Sequence, residues 1–113
     1  MAKSMFVKAA EVEPVGAETG VWRRILVFGD KVMLVHIALE EGAIVPNHKH
    51  PNEQAGYVVE GEMLLTIAGQ SRTVKAGESY LIPYDAEHGA KAIAHTIIIE
   101  SFSPPREDLK PQL

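Results

Sequence analysis

Between Gly42 and Gly61 the chain sets His48 and His50 one residue apart and follows them with Gln54. Side chains on an extended strand alternate faces, so His48 and His50 point the same way. Gln54 shares their parity and Glu53 does not. Two imidazoles and an amide oxygen converging from one strand are most of a divalent-metal site. His88, just past the turn signal Pro83-Tyr84-Asp85, is the candidate third nitrogen. A backbone bulge at Pro51-Asn52 would put Glu53 in the place of Gln54. An amide oxygen is neutral, so three His and one Gln leave the ion's charge uncompensated and make it a better electrophile toward a carboxylate or enolate. Such a set holds no carboxylate base, so a proton-transfer group must come from elsewhere. His36 and His95 fit neither spacing and read as wall or surface residues of strands.

These side chains need a frame that holds them together. Gly, Pro and Asp punctuate the chain at Gly29-Asp30, Glu41-Gly42, Glu60-Gly61, Ala68-Gly69, Ala76-Gly77 and Pro83-Tyr84-Asp85. Between them lie short β-rich runs: Trp22 to Phe28, Val32 to Glu40, Gly56 to Val59, Met63 to Ile67, Ser79 to Ile82 and Ile93 to Phe102. Runs of this length at near-regular spacing predict an antiparallel sandwich or barrel with little helix. Met33, Val35, Ile37 and Leu39 alternate onto one face, which is the core face. The tail at Ser103-Pro104-Pro105-Arg106 cannot extend a central strand, because proline lacks the ladder donor.

With 113 residues the chain is expected to form one domain. Its 46% hydrophobic and 23% charged residues are those of a globular protein. A formal net charge of -4 argues against nucleic-acid binding, which needs basic surface to displace counterions. With no cysteine, disulfides, thiolate metal sites and cysteine nucleophiles are excluded. Met1 to Met5 carries no apolar leader, and no apolar run approaches the roughly 20 residues of a membrane span. The expectation is a soluble, cytoplasmic protein without membrane partners.

From Val21 to Asp108 the chain resembles the cupin superfamily. The first cupin motif has a Gly, two His separated by one residue, usually a Glu, then a Gly. Gly42, His48, His50 and Gly61 match it, with Gln54 in the Glu position. The second motif is matched by Gly77, Pro83 and His88, although Asp85 replaces the usual Gly and Ala92 stands where Asn is frequent. The resemblance implies an all-β, double-stranded jelly-roll barrel covering 1–113. N-terminal strands would occupy 5–40, motif 1 42–61, motif 2 77–92, and a last strand with its Pro-rich tail 93–113. It also implies one divalent ion, Zn, Ni, Mn, Fe or Co, on His48, His50, Gln54 and His88. Small cupins commonly form homodimers through sheet edges.

Within that superfamily the segment E-S-F-S-P-P-R-E-D resembles the C-terminal signature of KdgF-type pectin-degradation cupins, as does G-V-W-R-R-I-L near the start. The signature has Asp, Phe and Arg where this chain has Glu100, Phe102 and Arg106. The implied activity is opening and linearisation of 4,5-unsaturated uronates from pectin or alginate. Arg106 and the ion would hold the substrate carboxylate, Glu100 would move a proton, and Phe102 would shape the pocket. The exchange of Glu for Asp at position 100 lengthens the candidate base by one methylene. Two other classes share this ligand set: a metal-dependent dioxygenase and a non-enzymatic small-molecule binding barrel. The structural alternative for Arg106 is an ion pair with Glu107 or Asp108.

Overall fold

The computed structural model describes residues 4–16 and 19–110. Nine strands run β1 (Val21–Phe28), β2 (Met33–Leu39), β3 (Ile44–His48), β4 (Glu53–Glu60), β5 (Glu62–Ile67), β6 (Gln70–Lys75), β7 (Ser79–Ile82), β8 (His88–Ala92) and β9 (Thr96–Ser103). They form a five-stranded sheet in the order β1-β2-β9-β4-β7 and a four-stranded sheet in the order β3-β8-β5-β6. Every pairing is antiparallel. Helix among the described residues is limited to short 3-10 turns, including Ala9–Glu11 and Glu107–Leu109.

The alternation read from β2 holds, with Met33, Val35, Ile37 and Leu39 buried and the residues between them half-buried. Val58, Met63, Leu65, Ile98 and Phe102 meet them to form the core between the sheets. At roughly 25 cal/mol per Å² of apolar surface removed from water, this facing layer is the main source of stability.

Three strands lie outside the β-rich runs read from the sequence, β3, β6 and β8. β3 contains Pro46, tolerated because the strand lies at a sheet edge. β6 is a polar edge strand, reached from β5 through Ala68 and Gly69, both at positive φ as a two-residue hairpin turn requires. β8, His88-Gly89-Ala90-Lys91-Ala92, has no β-branched residue. The run expected from Ile93 to Phe102 is correspondingly shorter. Ile93 to His95 form the turn between β8 and β9, so His95 lies outside a strand, 3.4 Å from Glu60 at the surface. As expected, the last strand stops at Ser103, before the two prolines.

Candidate metal centre and active site

The candidate ligands converge, but not from one strand. β3 ends at His48, His50 lies in the corner that follows, and Gln54 belongs to β4 in the opposite sheet. Strand parity therefore does not connect them, since Pro51 breaks the ladder and the chain crosses between sheets. The corner is fixed by its own hydrogen bonds. The Asn52 and Asp85 amides donate to the His50 carbonyl at 2.8 and 3.2 Å, and buried Asn52 donates through Nδ2 to the Pro104 carbonyl at 2.6 Å. Glu53 points to solvent and Gln54 is buried, so no bulge brings Glu53 inward.

His48 is aimed by an irregularity in the β3–β8 pairing between Val45 and His48, which faces His88 across the ladder. Bulges beside functional sites commonly redirect a side chain in this way. Gly89 permits the close approach: a Cβ there would lie 2.3 Å from Asn47 Oδ1 and 2.9 Å from the Val45 carbonyl oxygen. His48 donates from Nδ1 to the Pro46 carbonyl at 2.9 Å, and His88 from Nδ1 to the Ala86 carbonyl at 2.9 Å. Those bonds fix both tautomers and leave each Nε2 as the lone-pair atom. The Nε2 of His88 is buried without a partner, and so is Nδ1 of His50.

One nitrogen from each of these histidines lies within 4.8 Å of the others. Gln54 Oε1 is 3.1 Å from His50 Nε2. Two donors sharing one ion at about 2.0–2.2 Å each are separated by roughly this distance when they subtend a right angle. Burial, with the charges of Arg106, His88 and His48, holds His50 down to about 4, so it is neutral at pH 7. Burial also lowers His88. A neutral His50 and an orphaned buried Nε2 on His88 are in the form a divalent ion requires, so the residues present fit one.

Beside this cluster sits a buried acid. Glu100 is 6% exposed, on the inward face of β9. Tyr80 donates to its Oε2 at 2.5 Å. Burial raises Glu100 above the usual carboxylate range, while Tyr80, Gln54, Arg23 and Arg106 oppose that shift. The neutral amide at position 54 sits between the two groups, its oxygen against His50 and its influence on Glu100 favouring the charged carboxylate. A carboxylate at this position could not donate to Glu100.

Phe102 is buried edge-on to the His50 ring, centroids 5.7 Å apart, and the Arg106 guanidinium lies 5.4 Å above the Phe102 centroid. Arg106 also forms a fork with Asp108, Nε to Oδ1 at 3.2 Å and Nη2 to Oδ2 at 2.6 Å. The surface pairing considered for Arg106 is therefore present, yet the side chain still lines the cavity with Glu100 and the ligands. That fork uses two of five guanidinium N–H groups, so Asp108 orients Arg106 without exhausting it. Arg23 lines the same cavity and has no side-chain hydrogen bond or ion pair among the described residues. The cavity is about 50 Å³. An ion and the reacting edge of a ligand fit such a space, and a whole sugar ring would sit at its mouth.

The family profile described as Cupin_2, a cupin domain, matches residues 35–98. The chain belongs to the cupin family. It is 33% identical over 91 residues to the pectin degradation protein KdgF of Dickeya dadantii (strain 3937), covering 79% of this chain and 83% of that protein. Its structure is similar to an RmlC-like cupin from Shewanella frigidimarina NCIMB 400, with a TM-score of 0.91 and 34% identity over 97% of this chain and all of the other. It is also similar to KdgF from Halomonas sp., with a TM-score of 0.88 and 29% identity over 95% and 99% of the two chains.

One departure from the cupin motifs now has a physical explanation. Asp85, where Gly is usual, sits at φ 60° in the left-handed region that Gly favours and Asp tolerates better than most residues. Two cavity residues of this cupin were missed from sequence, Arg23 and Tyr80. The signal for both was parity, since Arg23 alternates with buried Val21, and Tyr80 with buried Ile82.

Proposed function

We propose that this cupin is a metal-dependent enzyme that opens and linearises 4,5-unsaturated uronates in pectin or alginate catabolism. The observation that carries the reading is Glu100, a buried carboxylate held by hydrogen bonds within the cavity that the three-histidine cluster also lines. Similarity to KdgF of Dickeya dadantii, a pectin degradation protein by name, supports the substrate class. His48, His50, Gln54 and His88 would hold one divalent ion, from among Zn, Ni, Mn, Fe and Co. Such an ion, when bound, supplies Lewis-acid stabilisation of negative charge on oxygen.

The chain's own residues do the rest. Arg106, oriented by Asp108, and Arg23 bind the substrate carboxylate at the cavity mouth. Glu100 takes the proton of the anomeric hydroxyl as the bond from C1 to the ring oxygen breaks, giving an aldehyde and an enolate oxygen at C5. The proton then returns at C4, and the C5 ketone forms. The net change is an isomerisation, with no water consumed and no redox partner. Phe102 closes the floor beside His50 and keeps water from the carboxylate.

The working unit is a homodimer in the cytoplasm. Exposed Tyr57, Val59 and Leu81, beside the β7 edge, are the apolar surface for a second copy. Sedimentation of Tyr57→Lys as a monomer would support that face, and an unchanged dimer would exclude it.

Substrate turnover is tested by the ultraviolet absorbance of the conjugated double bond, which ring opening and ketonisation remove. Metal-loaded protein should abolish it on 4,5-unsaturated galacturonate at the same rate with and without oxygen. An oxygen requirement would favour a dioxygenase, and binding without any absorbance loss a binding barrel.

A further inference from the structure

Tyr80, Gly56 and Glu100 form one row across the five-stranded sheet. Gly56 pairs with Tyr80 on one side and with Glu100 on the other. Neighbouring strands lie about 4.8 Å apart, so the outer two backbones of the row are roughly 10 Å apart. A side chain at position 56 would fill the gap between them. A Cβ there would lie 2.1 Å from Tyr80 Cζ, 2.3 Å from Oη and 2.4 Å from Cε2. The tyrosine ring therefore lies directly on the Gly56 backbone, and its hydroxyl reaches over the intervening strand to Glu100 Oε2 at 2.5 Å.

Nothing in the packing of a sheet demands this arrangement. A glycine in mid-strand costs about 0.5–1 kcal/mol relative to alanine, and a larger residue would serve the core better. The slot makes sense as the means of delivering a phenol to a buried acid. We propose that Tyr80 is a positioning residue for Glu100: it holds the carboxylate in one rotamer, facing the cavity, through a slot left open by Gly56. The inference rests on the reading of Glu100 as the proton-transfer group. Burial and the adjacent Glu100 charge push the Tyr80 phenol well above its ordinary range, so it acts as a hydrogen-bond donor. Hydrogen bonds from neutral donors to a carboxylate are short and strong, and one oxygen fixed in this way removes the freedom of a three-torsion side chain.

The test is Tyr80→Phe, which keeps the ring on Gly56 and removes only Oη. With metal content at the wild-type level, kcat on 4,5-unsaturated galacturonate should fall about 10–100-fold, the scale of one hydrogen bond to a charged group. KM should stay within about threefold, because the proposed carboxylate contacts are Arg23 and Arg106 rather than Tyr80. The double variant Tyr80→Phe/Glu100→Gln should be no slower than Glu100→Gln alone, since a positioning residue has nothing left to position. Wild-type kcat in Tyr80→Phe, or a penalty that adds in full on top of Glu100→Gln, overturns the proposal. If Glu100→Gln itself turns over normally, the reading of Glu100 fails first and this inference falls with it. Should Tyr80→Phe not fold, proton NMR of the wild type gives a second readout. A far-downfield phenolic resonance should be present and should vanish in Glu100→Gln, and its absence from the wild type would refute the contact.

Discussion

Gly89→Ala is the mildest substitution that should disturb the metal centre without touching a ligand. The added Cβ would meet Asn47 Oδ1 at 2.3 Å, the Val45 carbonyl oxygen at 2.9 Å and the Asn47 nitrogen at 3.0 Å. The Asn47 side chain can swing away, but two of the three contacts are backbone atoms of the bulge. Bringing them to ordinary contact, about 3.5 Å, needs a shift of roughly 0.5 Å in β3. His48 follows Asn47 directly and pairs with His88, the neighbour of Gly89, so the shift falls between two ligands. Functional constellations tolerate displacements only of about that size. Overpacking of this kind costs roughly 1–3 kcal/mol, and ion affinity should drop about 10–100-fold, the range seen when residues supporting a ligand are changed. Competition with a chromophoric chelator measures the affinity, and thermal melting of the apoprotein the stability. Asn47→Ala/Gly89→Ala should recover part of both, because the shortest contact is gone. Affinity within about threefold of wild type in Gly89→Ala would refute the claim that the bulge aims His48.

Loss of a ligand should be more severe. His48→Ala or His88→Ala should remove most of the one ion per chain measured by elemental analysis, whereas Gln54→Ala should be milder, since water can replace a neutral oxygen. Stoichiometric metal in His48→Ala/His50→Ala would place the site elsewhere. Apoprotein stability should fall as pH drops from about 6.5 toward about 4. In that window the unfolded chain takes up a proton that His50, held at about 4 when folded, refuses. Glu100, raised by burial, gains stability as pH falls and opposes the His50 loss in part, so the loss is read as the difference between wild type and His50→Gln, and an identical pH dependence in the two would contradict it. Arg23→Ala and Arg106→Ala should each raise KM for the uronate more than they lower kcat, and an unchanged KM in either removes that arginine from carboxylate binding.

The sheet core was legible because β2 buries one face, and its alternating Met33, Val35, Ile37 and Leu39 register that directly. β3, β6 and β8 were not, because their residues are chosen for the site and the surface. Pro46, His48, His88 and Gly89 serve the ligand cluster, and Gln70 to Arg72 face water. The clustering of His48, His50, Gln54 and His88 was legible from spacing, although strand parity is not what brings them together. A corner at Lys49 to Asn52 joins the sheets, and no strand period carries through it. Arg23 and Tyr80 became visible as cavity residues only when sheet pairing placed β1 and β7 around the same space as β9. Gly56 opens one of the β-rich runs read from the sequence, and the ring that covers it is visible only in the structure.

The account turns on Glu100 acting beside a bound ion, and one comparison tests it most directly. Metal-loaded wild type and Glu100→Gln, matched for metal content, are compared by absorbance loss on 4,5-unsaturated galacturonate. Glutamine keeps the size and polarity of the side chain and removes the base, so the rate should fall by about 10²–10⁴-fold with the ion still bound. A Glu100→Gln protein that turns over within about threefold of wild type would contradict the account.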